Sequence, residues 1–251
     1  MKRAKSMSPP YFHAMTWIFL CLVFIGFAPS FFLKFWIEAQ PFYPEGLPIP
    51  YILHGLVLTV WYVFLVVQST LIKNRSLNLH RKIGYFGAIW AFFVLASTLW
   101  VISLFPSRME ELSFALGKTV QEIEPGLSGI LWLDFFMSLL FSSFVGLGIA
   151  ERKNPEAHKR LMFFSGLVFL FAAVFRISGI VGTLGGIEAG PVFGLGLLLV
   201  ISISVLFYDR MQLGKVLPIT WGCFGFYWFG VILSFILGES SWGKEFMLGL
   251  F

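Results

Sequence analysis

Charge is what this chain has least of. Asp, Glu, Lys and Arg together make up 12% of its 251 residues, against about 25% in a soluble domain. So little charge on so apolar a background excludes a disordered chain and argues against a nucleic-acid surface, which needs dense Lys and Arg. Cysteine is also scarce. Cys21 and Cys223 both sit inside apolar runs, so neither a disulfide framework nor a thiolate metal site is available. Only four histidines are present, and none follows His158. The strings GxxxxGK[ST], HExxH, GxSxG and CxxC are missing, which leaves nucleotide hydrolysis, zincin chemistry and an elbow-type serine hydrolase without motif support.

Long apolar runs take their place, with hydrophobic residues at 58%. A bilayer core about 30 Å thick needs about 20 such residues per helix. Seven segments qualify, at 13–33, 51–72, 83–105, 127–149, 161–183, 191–208 and 217–237. The expected fold is therefore an all-α, polytopic membrane bundle of seven transmembrane helices, a single domain over 1–251 with no space for a soluble one. The longer connections, 34–50 and 106–126, hold Pro41, Pro44, Pro48, Pro50, Pro106 and Pro125, where helices are expected to stop. The Met1-Lys-Arg-Ala-Lys5 start could open a signal peptide. The apolar run after it is too long for that and lacks a small-x-small site, so the first span is read as an uncleaved helix.

Lys and Arg fall unevenly between the two sides. The N-terminal tail and the loops 73–82, 150–160 and 208–216 hold 13 of the 18, with three acids, Glu151, Glu156 and Asp209. The other side has four basic residues and nine acids. Basic loops stay inside, which places the N-terminus in the cytoplasm and the C-terminus outside.

That partition leaves Asp134, in the fourth span, and Arg176, in the fifth, as the charges within the hydrocarbon. Both lie roughly 9 Å below the outer interface at 1.5 Å per residue, so an Asp134–Arg176 ion pair is expected. One reading makes it a structural pin between two helices. The other adds His54, near the outer start of the second span with Thr59 and Trp61 below it, and makes His54, Asp134 and Arg176 an outer polar pocket. There Arg176 would suit an anionic or quinone-like carbonyl group, and His54 could exchange a proton with it.

A second pair stands on the cytoplasmic side. Leu79-His-Arg-Lys-Ile-Gly84 and Ala157-His-Lys-Arg-Leu-Met162, with their preceding loops, align without a gap at an offset of 78 residues. The second and third spans would then repeat as the fourth and fifth, which puts His80 and His158 at one depth, facing each other. Two opposed imidazoles suit a six-coordinate b-type haem iron, with Arg81 and Arg160 on the propionates. The competing reading is a basic collar gripping anionic lipid headgroups. His54 lies on the opposite side, so no three-histidine metal site can form; His13 has no expected role. Gly194, Gly196, Gly222, Gly225 and Gly230 are expected at close helix contacts.

Known seven-helix families give a further test. A rhodopsin needs a lysine in its last helix, and 217–237 has none; the seven-helix zinc hydrolases need late histidines, which are absent here. The segment from His54 to Gly84, HGLVLTVWYVFLVVQSTLIKNRSLNLHRKIG, with NPEAHKRLM at 154–162, resembles a group of uncharacterised bacterial multi-pass membrane proteins. Their pattern runs H-G…W…Q…L…l-H-r-x-x-G and later H-[KR]-R. The resemblance implies a bacterial inner (cytoplasmic) membrane location. A looser similarity runs to cytochrome b561-type proteins, which hold haem between histidines of transmembrane helices. It implies His80 and His158 as one ligand pair and His54 as half of another. The fourth span has no histidine to complete that second pair, so at most one haem is implied. The expected function is electron transfer through haem b, with a quinone in the outer half of the membrane. The alternative is a cofactor-free accessory or scaffold subunit that binds lipid and a larger membrane complex. Small-molecule transport has less support, because no matched pair of Gly/Pro-broken helices is present.

Overall fold

The computed structural model describes residues 11–34, 36, 47–186 and 189–250. The basic N-terminal tail and the loop prolines Pro41 and Pro44 lie outside the described residues. Among those described, seven helices are long and apolar enough to cross a membrane, and no strand occurs. The chain is a multi-pass, all-α membrane bundle.

Helix α1 (Tyr11–Phe27) widens into a π-helical turn at Ala28–Phe32, where Pro29 supplies no N–H to the regular ladder. Helix α2 (Ile49–Lys73) follows Pro48 and carries Pro50 in its first turn, where a missing N–H costs nothing. It is joined to α3 (Leu77–Ser103) by Asn74–Ser76, with Arg75 at φ 59°. Helix α5 (Val120–Ala150) starts at a capping box in which Thr119 N–H donates to Glu122 Oε2 at 2.7 Å. That bond holds the exposed Glu122 carboxyl below its usual range. Asn154 caps α6 (Pro155–Gly185) by accepting from Ala157 N–H at 3.4 Å. Helices α7 (Ala189–Leu213) and α8 (Pro218–Glu239) complete the spans.

Helix α6 is the axis of the bundle. It packs against α1, α5, α7 and α8, and 67% of its span is buried, against 22% for the first. The core is aromatic, with Phe19, Trp61, Tyr62, Phe141, Phe144, Phe164 and Tyr227 all fully buried. Large apolar residues such as Phe92, Val200 and Phe207 face outward, as they do where the solvent is lipid.

Two features differ from the sequence reading. The 106–126 connection is largely helical: α4 (Phe105–Leu116) ends at Gly117, φ 61°, and Pro125 lies in the second turn of α5. A further short helix, α9 (Ser241–Leu248), follows α8. Both short helices pack on the same end of α5, where Phe105, Leu131, Trp132 and Met247 form a small separate core and Trp132 Nε1–H donates to Gly243 O at 3.0 Å. In α4 the apolar residues Phe105, Met109 and Leu112 recur at helical spacing, in runs too short to register as spans.

The expectation for the glycines also needs correction. A Cβ at Gly230 would press on Leu140, and one at Gly194 on Ser178, but Gly196, Gly222 and Gly225 have nothing within 4 Å. Further tight crossings lie at Gly26, against the Ala173 backbone of α6, and at Gly238, against Gly129 of α5.

Candidate functional site

Both hairpins deliver a histidine to the same point. Ser76 and Asn154 precede the first helical residues of α3 and α6, and His80 and His158 are the fourth helical residues. Each N–H donates to the carbonyl of its capping residue, Ser76 or Asn154, at 2.9 Å. The 78-residue offset in the sequence is thus repeated as the same local geometry. The two imidazoles meet with ring centroids 6.2 Å apart and planes at 87°.

Their second nitrogens are held differently. His158 Nδ1 lies 2.7 Å from Gly148 O. A carbonyl only accepts, so His158 carries its proton on Nδ1 and leaves an Nε2 lone pair. Gly148 belongs to the last turn of α5, where carbonyls lack helical partners. His80 Nδ1 faces Gln68 of α2, which is 9% exposed. Oriented to satisfy both of its ends, the Gln68 amide donates to His80 Nδ1 and to His80 O (3.2 Å) and accepts from Gly84 N–H (3.2 Å). In that arrangement His80 carries its proton on Nε2. Gly84, one turn along α3 on the His80 face, has nothing within 4 Å of where a Cβ would be. Beside Gln68, Ser69 Oγ meets His13 Nδ1 at 3.1 Å and Thr16 Oγ1 at 2.8 Å, which ties α1 to α2.

The two arginines expected beside this pair have different fates. Arg81 is exposed. Arg160 is not available to a propionate, because its side chain is 0% exposed and its donors are committed. Its Nε donates to Thr220 Oγ1 (2.8 Å) and Asp209 Oδ2 (3.2 Å), its Nη1 to Glu156 O (2.6 Å) and Oε2 (2.8 Å), and its Nη2 to Asp209 Oδ1. Asp209, also 0% exposed, accepts in addition from Thr220 Oγ1 and from Leu217 N–H at 3.1 Å, just before α8 begins. This network joins α6, α7 and α8. The sequence reading left Asp209 among loop acids. Its place within a turn of an apolar run, 11 residues before Thr220, was the available signal.

The pocket expected from His54, Asp134 and Arg176 also rearranges. Asp134 and Arg176 do not form an ion pair. The Arg176 guanidinium lies over the Phe27 ring, 4.5 Å from its centroid, and α4, which carries Arg108, packs against the helix that carries Asp134. Equal depth on consecutive helices does not fix which way each side chain turns, and Arg176 turns toward α1. His54 Nδ1 lies 3.1 Å from Ser97 Oγ of α3. Arg108, missed because α4 was read as a loop, lies 5.9 Å from the Tyr51 ring centroid.

Among the described residues, no group of three or more His, Cys, Asp or Glu side chains could hold a metal ion. Compared with family models, curated proteins and solved structures, the chain matches none.

Proposed function

We propose that His80 and His158 are the two axial ligands of a single b-type haem and that the protein is a membrane electron-transfer protein. The observation that carries this reading is the 6.2 Å separation of the two rings. Two metal–nitrogen bonds of about 2 Å each, plus the radius of each ring, put opposed imidazole centroids roughly 6 Å apart. The surroundings fit at His158 as it stands; at His80 the Gln68 amide would have to turn its oxygen toward Nδ1, which moves the proton there and frees Nε2 for the metal. A metal-bound histidine usually gives its other N–H to a carbonyl, as His158 does to Gly148. Gly84 leaves open space beside His80, and exposed Arg81 is free to face a propionate. A bound haem would supply one-electron chemistry at the basic end of the bundle, which the positive-inside rule assigns to the cytoplasmic side. The chain's own part is to hold the two nitrogens and to fix the His158 tautomer.

A haem-to-protein ratio by pyridine haemochromogen assay tests this on detergent-purified protein. About one haem per chain, lost in His158→Ala, supports the reading; well-folded protein without haem after growth with excess haem precursor contradicts it.

A second reading rests on the exposed Lys73, Arg75, Arg81, Lys82, Arg152 and Lys153 at the same end. They suit anionic lipid headgroups and an accessory subunit of a larger membrane complex. That reading predicts co-purifying protein partners and tolerance of substitution at both histidines.

A further inference from the structure

A second polar cluster stands at the end of the bundle opposite the histidine pair, built by four helices. Tyr51 and His54 come from α2, Ser97 from α3, Arg108 from α4 and Asp134 from α5. Ser97 Oγ already gives its one hydrogen to Val94 O, at 3.0 Å. It therefore accepts from His54 Nδ1–H across 3.1 Å, and His54 keeps a free lone pair on Nε2. One turn outward, the Tyr51 ring lies under the Arg108 guanidinium. The Asp134 carboxyl makes no hydrogen bond or ion pair with the described residues, and α4, which carries Arg108, packs against its helix. An unpartnered carboxyl at hydrocarbon depth is costly, and such groups mark sites. Trp61, on the His54 face of α2 and two turns deeper, is 2% exposed, and its Nε1–H has no acceptor among the described residues.

We infer that this cluster binds the head group of a neutral amphiphile carrying both hydroxyl and carbonyl groups, of the quinol–quinone class, which enters sideways from the bilayer. Charge selects a neutral ligand: Asp134 opposes an anion and Arg108 a cation. Depth selects one soluble in lipid, because Asp134 lies about 9 Å along α5 from the start of its span at Ser128. The free base His54 Nε2 accepts the hydroxyl hydrogen, and Arg108, seated over the Tyr51 ring, donates to the carbonyl. This site is independent of the haem reading and needs no electron transfer to be detected.

The test is calorimetric titration of the full-length protein in detergent with a short-chain ubiquinol, repeated in a His158→Ala background so that any haem plays no part. Saturable binding is expected in both. His54→Gln keeps a donor for Ser97 but removes the Nε2 lone pair, and Arg108→Gln removes the cation; each is expected to weaken binding roughly tenfold with the melting temperature little changed. Arg176→Gln, at similar depth but beside Phe27, is expected to leave binding intact. No saturable binding, wild-type affinity in both His54→Gln and Arg108→Gln, or tighter binding of decanoate than of the quinol would each overturn the assignment.

Discussion

Arg160 and Asp209 form a fully buried ion pair across 49 residues of sequence, and Thr220 closes it from a third helix. Removing Asp209 leaves the buried Arg160 with only the half-exposed Glu156 carboxylate as counter-charge and strips Thr220 and the Leu217 N–H of their acceptor, at a cost of about 3 kcal/mol. Asp209→Ala should therefore lower the melting temperature sharply. Replacing both by apolar residues of similar volume, Arg160→Met with Asp209→Leu, should recover most of that loss. Thermal denaturation of the detergent-solubilised variants checks the pattern, and a double variant no more stable than the single one would show that the pair does more than neutralise itself.

The α1–α6 crossing depends on the absence of a side chain at Gly26. A Cβ there overlaps the Ala173 backbone, which cannot swing aside as a side-chain tip could. Gly26→Val should cost about 1–3 kcal/mol through overpacking. Gly222→Ala, with open space around its Cβ, should be near neutral. The same melting assay compares the two.

Gln68 sets the tautomer of His80. With its amide nitrogen toward Nδ1, the cofactor-free protein should hold its His80 proton on Nε2. Gln68→Glu, which can only accept, should move the proton to Nδ1, and Gln68→Leu should give a mixture of the two. Ring nitrogen shifts in histidine-labelled protein read this directly. An unchanged His80 tautomer in all three proteins would show that Gln68 has no hold on it.

The ring planes of His80 and His158 stand at 87°. If those orientations persist in the oxidised haem protein, its low-spin electron paramagnetic resonance signal should be of the strongly anisotropic type that perpendicular axial imidazoles give. A rhombic signal of the parallel type would mean that the rings turn on binding.

Seven spans were legible because membrane helices are written as long apolar runs, and the cores of the observed helices fall where those runs lie. The histidine pair was legible because a gap-free repeat places both residues at the same step after a helix start. Side-chain partners were not legible in the same way. Asp134 and Arg176 share a depth, yet rotation about each helix axis sends them to different neighbours. Arg160 looked like one more interfacial cation, and only the approach of α7 and α8 converts it into half of a buried pair. Helix α4 escaped notice because an amphipathic segment of 12 residues is too short and too polar to register as a span, and Arg108 went unread with it.

The most direct measurement is a reduced-minus-oxidised visible spectrum of the purified wild-type protein beside His80→Ala and His158→Ala. Ligation by the pair predicts the sharp paired bands of low-spin b-type haem in the wild type and their loss in both variants. A flat wild-type spectrum from haem-replete, well-folded protein, or bands that survive either substitution, would contradict it.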